Sequence, residues 1–227
     1  MLQLTIGNKN YSSWSMRPWV LLKQAGIPFE ETLVRFDSMG PGSDFRKNMQ
    51  KINPAGLVPV LLDEGFAVWD TLAIAEYLAE RYPEKSLWPQ DAKARARARS
   101  LCAEMHAGFG ALREHCPMNL EATLPEIGSR VLAEHAGVRD DLERIVHMWT
   151  DALAASGGPL LFGSFSIADA YFAPVATRIR TYGLPVPATA AAYVERLFAL
   201  QAVQAWVRGA LAEHDFVPVD EPYRTQA

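Results

Sequence analysis

Alternating apolar positions, the mark of half-buried strands, stop near residue 82 of this chain and do not return. Before that point strands and helices are mixed. Leu2, Leu4 and Ile6 alternate with Gln3 and Thr5. Met16, Trp19, Val20 and Leu22 then recur as a helix would require, up to Ala25, and Gly26 ends the pattern. PFEETLVRF, residues 28–36, reads as a second strand. A strand, helix, strand order predicts a parallel pair with a right-handed crossover. Residues 40–56, GPGSDFRKNMQKINPAG, read as loop with a single helical turn. LVPVLLD and FAVWD, joined through Asp63, Glu64 and Gly65, carry a hairpin signal. DTLAIAEYLAERY follows as a helix that Asp70 or Thr71 can cap. The expected order is β-α-β-(α)-β-β-α.

PEKSLWPQ, residues 83–90, holds two prolines and reads as a linker. Beyond it only helical periods appear. Ala94, Ala98, Leu101, Met105, Phe109 and Leu112 share one helical face, and Val138, Leu142, Ile145, Trp149 and Leu153 share another. The reading is therefore an α/β domain over residues 1–82, a linker over 83–90, and an all-α domain over 91–227.

With 227 residues the chain can bury a substantial core. Its net charge of −4 argues against a general attraction to nucleic acid or anionic membrane. No apolar run has the length of a membrane span, and the start MLQLTIG lacks the basic and apolar regions of a secretory signal. A cytoplasmic protein with reduced thiols is expected. If Cys102 and Cys116 share one helix, about 21 Å separates them, too far for a disulfide. The histidines show no metal-ligand spacing, so no metal is expected.

Four stretches can carry chemistry. NYSSWSMRPW, residues 10–19, places Ser12, Ser13 and Ser15 between a strand and a helix. Ser15 suits the helix cap, which leaves Pro18 in the first turn, where its missing N–H loses little. Ser12 and Ser13 lie in a loop after a parallel strand, where ligands bind in α/β sheets. GLVPVL places Pro59 at a strand start or edge, with a Val58–Pro59 bond that can be cis. Asp70 and Thr71 open a helix whose free N–H groups suit a carboxylate, while the Asp70 side chain suits an ammonium group. A plain helix cap explains the same pair. In SFSIADAYF, Ser166 and Asp169 form a capping box ahead of an apolar helix, a folding role. Pro174 inside that helix predicts a kink.

Together SSWSMRPW, NPAGLVPVL, DTLAIAEYL and SFSIADAYF, in this order, resemble the cytosolic glutathione transferases over nearly the whole length. The resemblance implies a thioredoxin-like N-terminal domain, a helical C-terminal domain, glutathione as co-substrate and a homodimer. It implies that the Val58 backbone beside Pro59 pairs with the cysteinyl part of glutathione and that Asp70 and Thr71 hold its γ-glutamyl end. Lys47 is a candidate for the glycyl carboxylate. The serine loop is similar to that of the serine-type classes, especially zeta, with Ser12 or Ser13 as the thiol-activating residue. Ser12 matches the first serine of the zeta pattern and Arg17 its arginine, whereas Trp14 stands where zeta members have cysteine. Trp14, Met105, His106 and Phe109 are candidates for the electrophile pocket. The implied reaction is attack of glutathione thiolate on a small electrophile, as in detoxification. A glutathione-dependent isomerase or dehalogenase is the alternative, as is a non-catalytic ligand-binding relative. The basic run KARARARS, Arg178 and Arg180 read as solvated surface.

Overall fold

The computed structural model describes residues 1–37, 40 and 42–224. Of the loop expected from residue 40, Pro41 lies outside the described residues, as do 225–227 of the helical half.

The first half folds as the alternation requires. Strand β1 (Leu2–Ile6) leads through helix α1 (Ser13–Gln24) to β2 (Phe29–Leu33). After α2 (Asp44–Gln50) come β3 (Val60–Asp63), β4 (Phe66–Val68) and α3 (Thr71–Arg81). The sheet order is β2-β1-β3-β4. β1 pairs parallel with β2 and antiparallel with β3, and β3 and β4 form the expected hairpin. Leu4 and Ile6 are fully buried, the inward face of the Leu2–Ile6 alternation.

Seven helices follow among the described residues: α4 (Ala92–Ala107), α5 (Gly110–His115), α6 (Pro125–Glu134), α7 (Ala136–Ser156), α8 (Ile167–Tyr182), α9 (Ala188–Ala199) and α10 (Gln201–Glu213). The residues between the halves are more than a spacer. Pro83–Lys85 forms a 3₁₀ turn, and Leu87 and Trp88 are buried in a hydrophobic core that runs without a break from Leu4 and Met16 to Trp149, Tyr171 and Trp206. Helix α8 lies centrally, packed on α1 and α4, and is buried on almost every side. No helix among the described residues is long and apolar enough to cross a membrane.

Three local expectations are corrected. Ser12, rather than Ser15, caps α1: its side chain accepts from the Ser15 amide. The helix therefore starts at Ser13, and Pro18 falls in its interior, where it removes the amide that would donate to the Trp14 carbonyl. The apolar face drawn from Ala94 to Leu112 is not one helix. It breaks at Gly108, and Phe109 adopts a left-handed backbone (φ 58°) ahead of α5. Cys102 and Cys116 thus occupy separate segments, both buried and free. The capping box forms as read: Asp169 accepts from the Ser166 amide at 2.9 Å. It also accepts from the Leu161 amide and the Tyr193 hydroxyl, tying three segments of the helical half together.

Candidate active site

A cavity of about 410 Å³ opens between the two halves. Its sheet-side wall is Asn53, Ala55, Leu57, Val58, Pro59, Trp69, Asp70 and Thr71, and its helical-side wall is His106 and Arg113, with Trp14 between them. A larger cavity of about 560 Å³ between α4 and α7 contains none of the candidate site residues; Lys93 and Arg97 of the basic run line it.

The sheet-side wall is built by two turns. Asn53 closes the first: its Oδ1 accepts from the Gly56 amide at 3.1 Å and its Nδ2 donates to the Leu57 carbonyl at 3.0 Å. These bonds deliver Val58 and a cis Val58–Pro59 peptide to the cavity. The second is the start of α3. Asp70 is the N-cap, and its Oδ1 accepts from the Leu72 amide at 3.1 Å. Its Oδ2 lies 3.2 Å from His106 Nε2, so one carboxylate both caps a helix and crosses to the other half. Asp70 is thus both a plain helix cap and part of the cavity wall.

The loop before α1 is organised differently. Gly7 admits the Phe36 ring: an added Cβ would stand 2.2 Å from its tip, and the ring would have to shift. Ser12 and Ser13 are both nearly buried, and neither forms the cavity wall; Trp14 does. Their hydroxyls differ. Ser12 Oγ accepts from the Ser15 amide and donates to Ser15 Oγ at 2.7 Å, a closed local pair. Ser13 Oγ accepts from Arg178 Nη2 at 3.3 Å. Tyr11, one residue earlier, has its hydroxyl held by Glu221 at 2.8 Å. Burial, aided by that carboxylate, pushes its pKa up to about 12.

Arg178 contradicts its surface reading: it is buried, as is Arg17. Arg17 donates to the Tyr171 and Ser13 carbonyls, and Arg178 to those of Cys116 and Pro174. Among the described residues neither forms an ion pair, and Arg17 Nη2 is buried without a hydrogen-bond partner. Burial depresses Arg17 to about 9 and Arg178 to about 10, with Arg113 repelling both. Both values lie above neutral pH, so both guanidiniums stay charged there. Arg17 lies 4.2 Å from the Trp14 ring centre and Arg113 lies 5.5 Å from it. Arg180, by contrast, is exposed and pairs with Glu195.

The structure thus brings Trp14, Val58, Pro59, Asp70, Thr71 and His106 to one cavity. It does not bring Met105, Phe109 or Lys47. Met105 and Phe109 are both buried in the main core: Met105 on the apolar face of α4 with Ala98 and Leu101, and Phe109 after the break at Gly108. Lys47 stands on the solvent side of α2, paired with Asp44 at 3.4 Å. Sequence reading missed Asn53, Trp69, Arg113 and the buried setting of Arg178. For Arg178 a signal existed: a basic residue four positions after Pro174 in a helix that is otherwise mostly apolar. Burial also raises both cysteines, Cys116 to about 12, which leaves them inert thiols.

Comparison with known proteins agrees with this geometry. Residues 11–81 match the model of the glutathione S-transferase N-terminal domain, and residues 90–209 that of the C-terminal domain. Glutathione S-transferase Z1 of Arabidopsis thaliana is 37% identical over 92 residues, 39% of this chain and 40% of its own. Maleylacetoacetate isomerase of Rattus norvegicus is 34% identical over 102 residues, 45% of this chain and 47% of its own. These matches span less than half the length of either relative. A glutathione transferase homolog from Burkholderia, solved with bound glutathione, superposes with a TM-score of 0.67 at 28% identity, covering 92% of this chain and 97% of that one.

Proposed function

Because the chain belongs to the glutathione S-transferase family, we propose that it binds glutathione in the cavity between its halves and activates the thiol through Ser13. The observation that carries the choice of serine is the hydroxyl pairing. Ser12 spends its hydrogen on Ser15, whereas Ser13 receives one from Arg178 and keeps its own to donate. An O–H donated to sulfur favours the thiolate, and so does the positive end of α1. A free thiol of pKa near 8.5 is only a few per cent ionised at neutral pH. Arg17 and Arg178, charged and buried without carboxylates, add a positive field in a medium that screens weakly. Each unit of pKa lowering corresponds to about 1.4 kcal/mol of preference for the anion.

The remaining roles follow from the wall. Val58 offers backbone for the cysteinyl residue, and the carboxylate of Asp70 at the α3 N-terminus, with Thr71, suits a group bearing both an ammonium and a carboxylate. Trp14, His106 and Arg113 border the place for the electrophile. The thiolate attacks an electrophilic carbon there. Family resemblance supports a homodimer, and the buried free cysteines accord with a reducing, cytoplasmic setting.

Calorimetry with reduced glutathione tests the reading: binding is expected, and none at millimolar ligand sinks it. A panel of electrophiles then separates transfer from glutathione-dependent isomerisation or dehalogenation. Sedimentation as a monomer at micromolar protein would overturn the dimer.

A further inference from the structure

We infer that Glu221, in the segment after the last helix, is a positioning residue for the serine loop. This inference rests on the functional reading above. Four consecutive residues of that loop, Asn8 to Tyr11, are held by the C-terminal half. Asn8 Nδ2 donates to Asp215 at 2.8 Å, the Lys9 amide donates to Glu213 at 2.8 Å, and Asn10 Oδ1 accepts from the amides of Leu120 and Glu121. Tyr11 OH donates to Glu221 Oε1 at 2.8 Å. Tyr11 is the residue immediately before Ser12, so whatever fixes its ring fixes the start of α1.

Glu221 ties these holds together. It is 5% exposed, and its Oε1 also accepts from Asn119 Nδ2 at 2.9 Å. Asn119 Oδ1 in turn accepts from Asn10 Nδ2 at 3.1 Å, so the chain Tyr11–Glu221–Asn119–Asn10 closes a ring of side chains around the loop. Arg224 completes the carboxylate, with Nε 2.8 Å from Oε2 and Nη2 on Oε1. The segment also reaches the other side of the glutathione-binding half. Val217 is buried in a small apolar cluster with Tyr11, Phe36, Phe45, Met49 and Val60, which joins α2 to the serine loop.

A buried carboxylate with three donors has a fixed place, and a donor that loses it must move to find another. Removing Glu221 should therefore shift Tyr11 and, through one peptide bond, the serines. The chemistry is sensitive to such shifts, since a displacement of about 1 Å can cost up to ~100-fold in rate.

The test titrates the ultraviolet absorbance of thiolate with bound glutathione in the wild type, Glu221→Ala and Glu221→Gln. For Glu221→Ala the bound thiol pKa should rise by about one unit and kcat fall about tenfold, with glutathione affinity held within about threefold. Glu221→Gln keeps an acceptor for Tyr11 and Asn119 and should restore most of both. Should Glu221→Ala fail to fold, Tyr11→Phe removes the same contact from the other end and should give the same shift. Amide hydrogen exchange of residues 8–16 should accelerate in step. An unchanged thiol titration in Glu221→Ala or Tyr11→Phe overturns the inference, as does a glutamine variant no better than alanine. A wild type that binds glutathione without any thiolate band overturns the functional reading instead.

Discussion

The sheet-side wall, residues 53–71, and the serine loop, residues 8–15, border one cavity but are built in opposite ways. Part of the wall is exposed: the Asp70 side chain is 57% accessible, and Leu57 and Trp69 stand open beside it, while Asn53 and Thr71 are buried. In the loop Asn8, Asn10, Ser12, Ser13 and Ser15 are all buried and hydrogen-bonded to other protein groups, with Ser13 Oγ only accepting. Exposed groups near a helix start suit recognition of a water-soluble ligand, since hydration is exchanged for ligand contacts on binding. A buried loop whose neighbours are hydrogen-bonded in place suits the holding of one hydroxyl at one place, because preorganised donors need no rearrangement during reaction. Under the proposed function the labour divides accordingly: the wall would bind and the loop would activate.

That division can be broken by mutation. The largest effect is expected for Ser13→Ala, with kcat reduced about 100-fold, in the range for loss of a preorganised donor, and with the bound thiolate signal lost. An intact thiolate signal would move the chemistry elsewhere. Next comes Asp70→Asn, which keeps a good helix cap but removes the charge. Glutathione affinity measured by calorimetry should weaken about tenfold while the thiol pKa of the bound form stays put. Ser12→Ala should cost about 1 kcal/mol of stability in denaturant unfolding, as loss of a cap does, with the thiolate titration unchanged. Should Ser12→Ala abolish the thiolate and Ser13→Ala spare it, the assignment of the two hydroxyls is reversed. The smallest effect is expected for Lys47→Ala. This residue is exposed and paired only with Asp44 at 3.4 Å, so glutathione KM should change less than about twofold.

The wall was legible in the sequence and the loop only half so. Asp70 caps α3, Pro59 precedes β3, and Ser166 and Asp169 form their box, because each follows from residues within three or four positions of one another. The serine cluster was visible as a cluster, yet the cap went to Ser12 rather than Ser15. Local sequence offers both serines as caps. The choice is made where Gly7 donates to Ser15 Oγ and engages that hydroxyl toward the sheet. Met105 and Phe109 fit one helical face on paper, but the helix ends at Ala107 and Phe109 enters the core from a left-handed turn after Gly108.

By itself the sequence determined the strand-rich first half, the helical second half, and local features such as the β3–β4 hairpin, the Asp70 cap and the Ser166–Asp169 box. These are consequences of hydrophobic period and of short-range hydrogen bonding, which neighbouring residues settle among themselves. Only the tertiary structure decided which serine keeps a free hydrogen, that Arg178 is buried against Ser13, and that Glu221 holds Tyr11. Those pairs lie 165 and 210 residues apart, and no local pattern encodes them. They exist because burial in a shared core removes water as a partner, and each buried polar group must then find one across the fold.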